Sequence, residues 1–254
     1  MGGCGTIYCE EIRRSNPGSI VVLNTLVDKA SVQPKFRRLY IFLVAVKSGF
    51  VRGCRKIVGV DGCHLKGEYD GQLLIAVGVD PNNAMYPMAW CVVENENKYT
   101  WTWFITLLKL DVNITQDNEH EWTFINDRQK ASHVPLFHDE MEDTKKEDPE
   151  AYEWLAKIAP RHWSRSHIKD TVKCDMVSNN LCEAFNRAIL EARDKPIIEM
   201  LEWIRCYLSK RMVFRREWIA KRSDELLPNC YTKLETLKDW SASSSTIWFG
   251  DLQF

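Results

Sequence analysis

The sequence predicts an α/β fold: a mixed sheet made of an antiparallel three-strand meander, a helix and a fourth strand, followed by a helical region. Three features point that way. Three apolar, β-branched runs sit close together between Lys56 and Glu94, joined by short turn signals. An apolar stretch at helical spacing, Thr100–Leu110, separates them from a fourth strand-like run, Trp122–Asp127. Beyond Asp127 the alternating and continuous apolar runs stop, and spacings of three and four residues take over.

Residues 1–50 read as a lead-in segment. The stretch up to residue 35 is loose in pattern, with a turn at Asn16–Gly18 and a short strand at Ile20–Leu26; Phe36–Val46 is apolar enough for a strand or a helix. Residues 51–130 form the first part of the core. KIVGV (Lys56–Val60) is β-branched and leads into Asp61 and Gly62. LLIAVGV (Leu73–Val79) is apolar throughout, as a strand buried on both faces must be. It ends in Asp80-Pro81-Asn82-Asn83, where proline presets φ and Asp or Asn side chains satisfy the turn. MYPMAWCVVE (Met85–Glu94) makes the third strand of the meander. In the helix that follows, Trp103, Leu107 and Leu110 are the expected buried stripe. The order β-β-β-α-β, opened by a strand that runs into an aspartate, is the start of an RNase H-like fold.

Residues 131–240 form the helical region. Asp139–Glu153 is strongly acidic, and Asp148-Pro149 is a helix start for a stripe of Ala151, Trp154, Leu155 and Ile158. A helix from Ser178 carries Leu181, Phe185, Ala188 and Ala192 on its apolar face. A longer one, opened by Pro196, carries Ile197, Leu201, Ile204, Leu208 and Met212. Residues 241–254, beginning SASSS, read as a tail.

Composition bounds the partners. Lys and Arg number 34 against 35 Asp and Glu, a net charge of -1, so contact with nucleic acid must come from local patches and not from overall charge. The apolar runs are too short to span a bilayer. The nine cysteines show no Cys-x-x-Cys and no completed zinc spacing, so no zinc motif is present and reduced thiols are expected.

Three aspartates close strands: Asp61, Asp80 and Asp127. Asp80 is explained by its turn. Asp61 and Asp127 are candidates for the strand-end carboxylates that metal-dependent phosphoryl chemistry requires. Asn179, Glu183 and Asn186 recur at steps of four and three, so they share one helix face roughly opposite Leu181. A glutamate flanked by two amides suits the third acid of such a site, although periodicity alone favours an ordinary solvated face. Arg205–Arg222 holds seven basic residues and one acid, Glu217. That stretch reads either as a phosphate-contacting surface, with Arg205, Lys210, Arg211, Arg215, Arg216 and Arg222 as its contacts, or as an ordinary solvated face.

The stretches VGVDGCHLKGEYDGQLLIAVGVD (Val58–Asp80), WTFINDRQK (Trp122–Lys130), DPEAYEWLAKIAPRHWSRSH (Asp148–His167) and KCDMVSNNLCEAFNRAILEARDKP (Lys173–Pro196) resemble the catalytic domain of plant Mutator-like element (MULE) transposases. The resemblance runs from about Arg13 to about Trp240. It implies a DDE transposase core of RNase H-like fold, in which Asp61, Asp127 and Glu183 are the catalytic, metal-binding acids. It further implies Mg²⁺ or Mn²⁺ as cofactor, DNA ends and target DNA as partners, a possible homo-oligomer, a nuclear location and no membrane attachment.

The chain also departs from that pattern. Family members carry Ser where Asn126 stands, Gly where Ala131 stands, and a long segment with a Cys-x-x-His motif after the Asp127 strand. Here DRQK runs almost directly into the acidic helix. The expectation is a transposase-derived chain shortened internally, with phosphoryl transfer impaired. The alternative is a domesticated or remnant non-catalytic protein that binds DNA or protein; a metal-dependent nuclease of the same fold is a third reading.

Overall fold

The computed structural model describes residues 2–26, 35–67, 70–125, 134–147, 149–156 and 180–243. Its centre is a six-stranded mixed sheet of β1 (Ile20–Leu26), β2 (Lys35–Phe42), β3 (Arg55–His64), β4 (Gln72–Val79), β5 (Met85–Val93) and β6 (Thr123–Ile125). The strands lie in the order β1-β2-β5-β4-β3-β6. All neighbours are antiparallel except β3 and β6, which run parallel with Ile57, Val58 and Gly59 opposite Thr123, Phe124 and Ile125. Parallel neighbours need a crossover, and the long connection from β3 to β6 includes the helix α3 (Lys98–Asp111).

The expected meander is present, with each strand within a residue or two of its sequence bounds at the turns; only the first is longer, reaching His64. β4 is buried along almost its whole length, as its unbroken apolar run requires. The β4–β5 turn works as expected: the Asp80 carboxylate accepts from the backbone N–H groups of Asn82 and Ala84, at 2.9 and 2.8 Å, and Asn83 takes the left-handed conformation with φ 58°.

The strand expected at Ile20–Leu26 is β1, and Phe36–Val46 holds most of β2 and the start of a helix. Gly2–Ser15 is a helix, α1, packed on β1 and β2, and β2 pairs directly with β5. The segment therefore extends the sheet by two strands. The pattern was loose because β1 is only half-buried and β2 begins with charged residues. One of these, Arg38, is itself buried and joined to Glu94 at the end of β5, with nitrogen–oxygen distances of 2.7 and 2.6 Å. A second helix, α2 (Val44–Gly53), buries Val46 and Phe50.

The buried stripe of α3 is also corrected. Thr100, Phe104 and Leu108 face the sheet, while Leu110 is 70% exposed. Lys98, Thr102, Thr106 and Lys109 form a polar stripe opposite that face, and Trp103, Leu107 and Leu110 lie at its flank. The orientation of the helix is fixed at the ends: Asn97 and Thr100 form a reciprocal capping box, and the Tyr40 hydroxyl donates to Asp111 at 2.6 Å.

The helical region includes α4 (Val134–Glu147), α5 (Pro149–Ala156), α6 (Asn180–Ala188), α7 (Ile197–Ala220) and α8 (Pro228–Ala242). α5 starts at Pro149 and α7 follows Pro196, as their sequence signals predict. α6 packs on β3, β4 and β5. Residues in register across the sheet share a face, and successive residues alternate. Asp61, Ile75, Trp90 and Ile41 lie on the face toward α6. Gly62, Leu74, Cys91 and Tyr40 lie on the opposite face, toward α3, where Tyr40 meets Phe104 edge-on at 5.9 Å. α8 buries none of its residues, and its start is clasped by two hydrogen bonds between Asn229 and Asn82.

Two stability predictions follow from the core. A Cβ on Gly78 would stand 2.5 Å from the Phe50 ring, so Gly78→Ala should cost about 1–3 kcal/mol by overpacking, read as a lower midpoint in denaturant unfolding. Hydrogen bonds from Arg38 hold the Glu94 carboxyl at a pKa of about 2, below its ordinary 4.5. That contribution is complete above about pH 4.5 and is lost as the pH falls toward 2. The stability gap between the parent and Glu94→Gln should therefore shrink across that window; a gap independent of pH would show that the pair contributes nothing.

Candidate functional site

Asp61 stands on β3, half-buried, on the sheet face that α6 covers. Each of its carboxylate oxygens has a donor. Oδ1 accepts from the backbone N–H of Gly62 at 2.8 Å, and Oδ2 accepts from the side-chain amide Nδ2 of Asn186 at 2.8 Å. The second bond joins residues 125 apart in the chain. It is charge-assisted, and it fixes both the carboxylate rotamer and the seat of α6 on the sheet. The carboxylate only accepts, so the amide nitrogen must be the atom turned toward it. The amide oxygen, Asn186 Oδ1, is left buried without a partner. A buried acceptor in that state costs roughly 1–3 kcal/mol.

α6 is strongly amphipathic. Leu181, Cys182 and Phe185 are buried, and Glu183 lies away from them in solvent, opposite Leu181 as the spacing predicts. Glu183 sits one turn, about 4.5 Å along the axis, before Asn186. Its carboxylate faces Arg187 at 3.6 Å and is 58% exposed. The structure thus brings the helix of Glu183 onto the Asp61 face without joining the two carboxylates. The amides of this helix were expected to hold Glu183; Asn186 holds Asp61 instead, and Asn179 lies outside the described residues.

Asp127 also lies outside the described residues. The described parallel ladder ends with Gly59 opposite Ile125, and Asp61 and Asp127 each follow two residues later in sequence. Among the described residues, no three of His, Cys, Asp and Glu gather closely enough to hold a metal ion.

The end of β3 is strapped to the turn between α6 and α7 by residues that sequence patterning did not flag. The Arg193 guanidinium donates twice to the His64 carbonyl, at 2.9 and 2.6 Å, and the Lys66 N–H donates to the Arg193 carbonyl at 2.9 Å. Gly67 permits this approach: a Cβ there would lie 2.9 Å from the Lys195 carbonyl oxygen. Beside the site, burial pushes the Cys63 thiol up to about 11, so it stays protonated at neutral pH and offers no thiolate. Cys9, Cys54, Cys63, Cys91, Cys182, Cys206 and Cys230 are free thiols.

The basic residues of α7 divide. Leu201, Ile204 and Leu208 are buried as expected. The expectation that Arg211 and Arg215 face solvent is corrected. Arg211 is half-buried and donates to the Met85 carbonyl at 2.9 Å, and Arg215 is paired with Asp80. Both turn inward because the β4–β5 turn presents a carboxylate and a free carbonyl next to them. Arg205 is tied to Glu202 at 2.8 Å; Arg222 is exposed, paired with Asp224 at 2.7 Å and stacked over Trp218. Lys210 and Arg216 remain exposed.

A six-stranded mixed sheet with helices packed on it defines an α/β protein. Residues 57–137, from β3 into α4, match the family model of the MULE transposase domain. No curated protein and no solved structure matches the chain. No described helix is long and apolar enough to cross a membrane.

Replacing Gly67 tests how the helical region is held. Gly67→Ala should lower the melting temperature and loosen α6, seen as faster amide exchange at Phe185 and Asn186; unchanged exchange would mean the strap does not govern the helix.

Proposed function

We propose that the chain is a transposase-derived protein of the DDE type, with an RNase H-like core that acts in the nucleus on DNA phosphodiesters. The observation that carries this reading is the Asn186–Asp61 hydrogen bond, which seats the helix of Glu183 on the face of the aspartate strand. The strand order β5-β4-β3-β6, with an antiparallel meander and a parallel fourth strand, supports the fold assignment.

Asp61, Asp127 and Glu183 are the residues that would hold Mg²⁺ or Mn²⁺. Hard oxygen donors suit these ions, and the fixed carboxylate of Asp61 fits that task. Bound cations would supply an activated water or 3′-OH and stabilise the leaving oxygen. Asp61 contributes a carboxylate that needs no reorientation. Glu183 must leave Arg187 to take part, and that exposed ion pair costs little to open. Lys210 and Arg216 lie exposed along α7 and suit phosphate contacts, whereas Arg211 and Arg215 tie the helix to the sheet.

Two measurements test the proposal. With Mn²⁺, the chain should nick plasmid DNA slowly, and Asp61→Asn should abolish the nicking. Cleavage that persists in Asp61→Asn, or that needs no cation, would overturn the acidic-site reading. Failure of both proteins to cleave while DNA binding persists would establish the non-catalytic remnant instead. For the basic helix, Lys210→Ala or Arg216→Ala should each lower the slope of log K against log salt by about 1. Arg215→Ala should instead lower the melting temperature with little change in that slope.

A further inference from the structure

We infer that Asn186 is an oxygen ligand held in reserve: when a divalent cation occupies Asp61, the Asn186 amide turns over and gives its Oδ1 to the same cation. The inference rests on the proposed reading that Asp61 holds a cation.

Three observations carry it. The Asn186 amide is within hydrogen-bond distance of Asp61 Oδ2, at 2.8 Å, so any ion on that oxygen meets the amide. The N–H donor and a cation compete for the same oxygen lone pairs, and an N–H group facing a cation is repelled by it. Finally, the amide already carries a hard oxygen acceptor that is buried and unsatisfied. A half-turn about the Asn186 Cβ–Cγ bond exchanges nitrogen and oxygen without moving α6. It removes the repulsion, gives the orphaned oxygen a partner and adds a carbonyl-type ligand of the kind Mg²⁺ and Mn²⁺ accept.

The Asn186 oxygen would add to the carboxylates proposed for the cation and would replace none of them. Without a cation, the same amide donates to Asp61 and keeps α6 seated. Asn186 thus serves the empty and the filled site with opposite ends of one side chain.

The test measures ion binding without DNA. Mn²⁺ is titrated into the purified chain, with free Mn²⁺ read by electron paramagnetic resonance. Asn186→Leu, Asn186→Asp and Asp61→Asn are compared after thermal melting confirms that each is folded. Asn186→Leu removes the oxygen and should weaken Mn²⁺ binding about tenfold or more. Asn186→Asp keeps an oxygen and loses the N–H, and it should bind at least as tightly as the parent. Should that variant fail to fold, the parent decides alone: its Asn186 side-chain ¹H–¹⁵N pair, identified by its absence from Asn186→Leu, should move on titration with Mg²⁺. Unchanged binding in Asn186→Leu, equal weakening in Asn186→Asp, or an Asn186 signal that stays in place at saturating Mg²⁺ would each overturn the inference while leaving Asp61 as the cation site. A parent that binds no Mn²⁺, or an Asp61→Asn variant that binds it equally well, would overturn both.

Discussion

A strand that is apolar on both faces must be covered on both, and β4 imposes this on the whole chain. Leu73 to Val79 is buried side to side, so the sheet cannot leave one face to water. On one side the cover includes α3, with Phe104 against Tyr40. On the other it includes α6, with Leu181 and Phe185 in the core. The polar edge of α6 then falls next to Asp61, and Asn186 meets the one carboxylate on that face of β3. The site is a consequence of core coverage: the apolar side of a short helix fixes where its amide can reach.

The parts of the fold legible in the sequence are those where a local pattern had a single structural solution. An unbroken apolar run, an Asp-Pro-Asn-Asn turn and Pro149 each specify their element without reference to distant residues. In the lead-in the two apolar stretches were legible, but the pairing of β2 with β5 was not, because β2 places a buried arginine within a strand. Arg38 is admissible there only through Glu94, which is more than fifty positions away. The face of α3 was misread because three apolar residues were taken alone, without the polar stripe of Lys98, Thr102, Thr106 and Lys109 that marks the outward side.

The candidate site shows the same division. Asp61 was visible as an aspartate on a strand that needed no turn to explain it, and Glu183 as an acid opposite an apolar stripe. The partner of Asn186 was not visible, because nothing local distinguishes an amide that supports its own helix from one that crosses to a strand. Arg211 and Arg215 present the converse problem. Counted as charge, they extend a basic surface; in the fold they satisfy a carbonyl and a turn carboxylate, which leaves Lys210 and Arg216 with the larger claim on an external anion. Charge along a helix becomes a binding surface only after the contacts inside the protein are subtracted.

The 125-residue separation of Asp61 from Asn186 also has a consequence during synthesis. Among the described residues the last strand ends at Ile125, and α6, which covers Asp61, begins only at Asn180. At about 5–20 residues per second, the ribosome needs several seconds to make the intervening chain. Throughout that interval the nascent sheet presents Ile75 and Trp90 without α6. A chain emerging from the exit tunnel in this state is a substrate for chaperones that bind apolar surface, and its yield in the cell depends on how well they shield one face until α6 arrives.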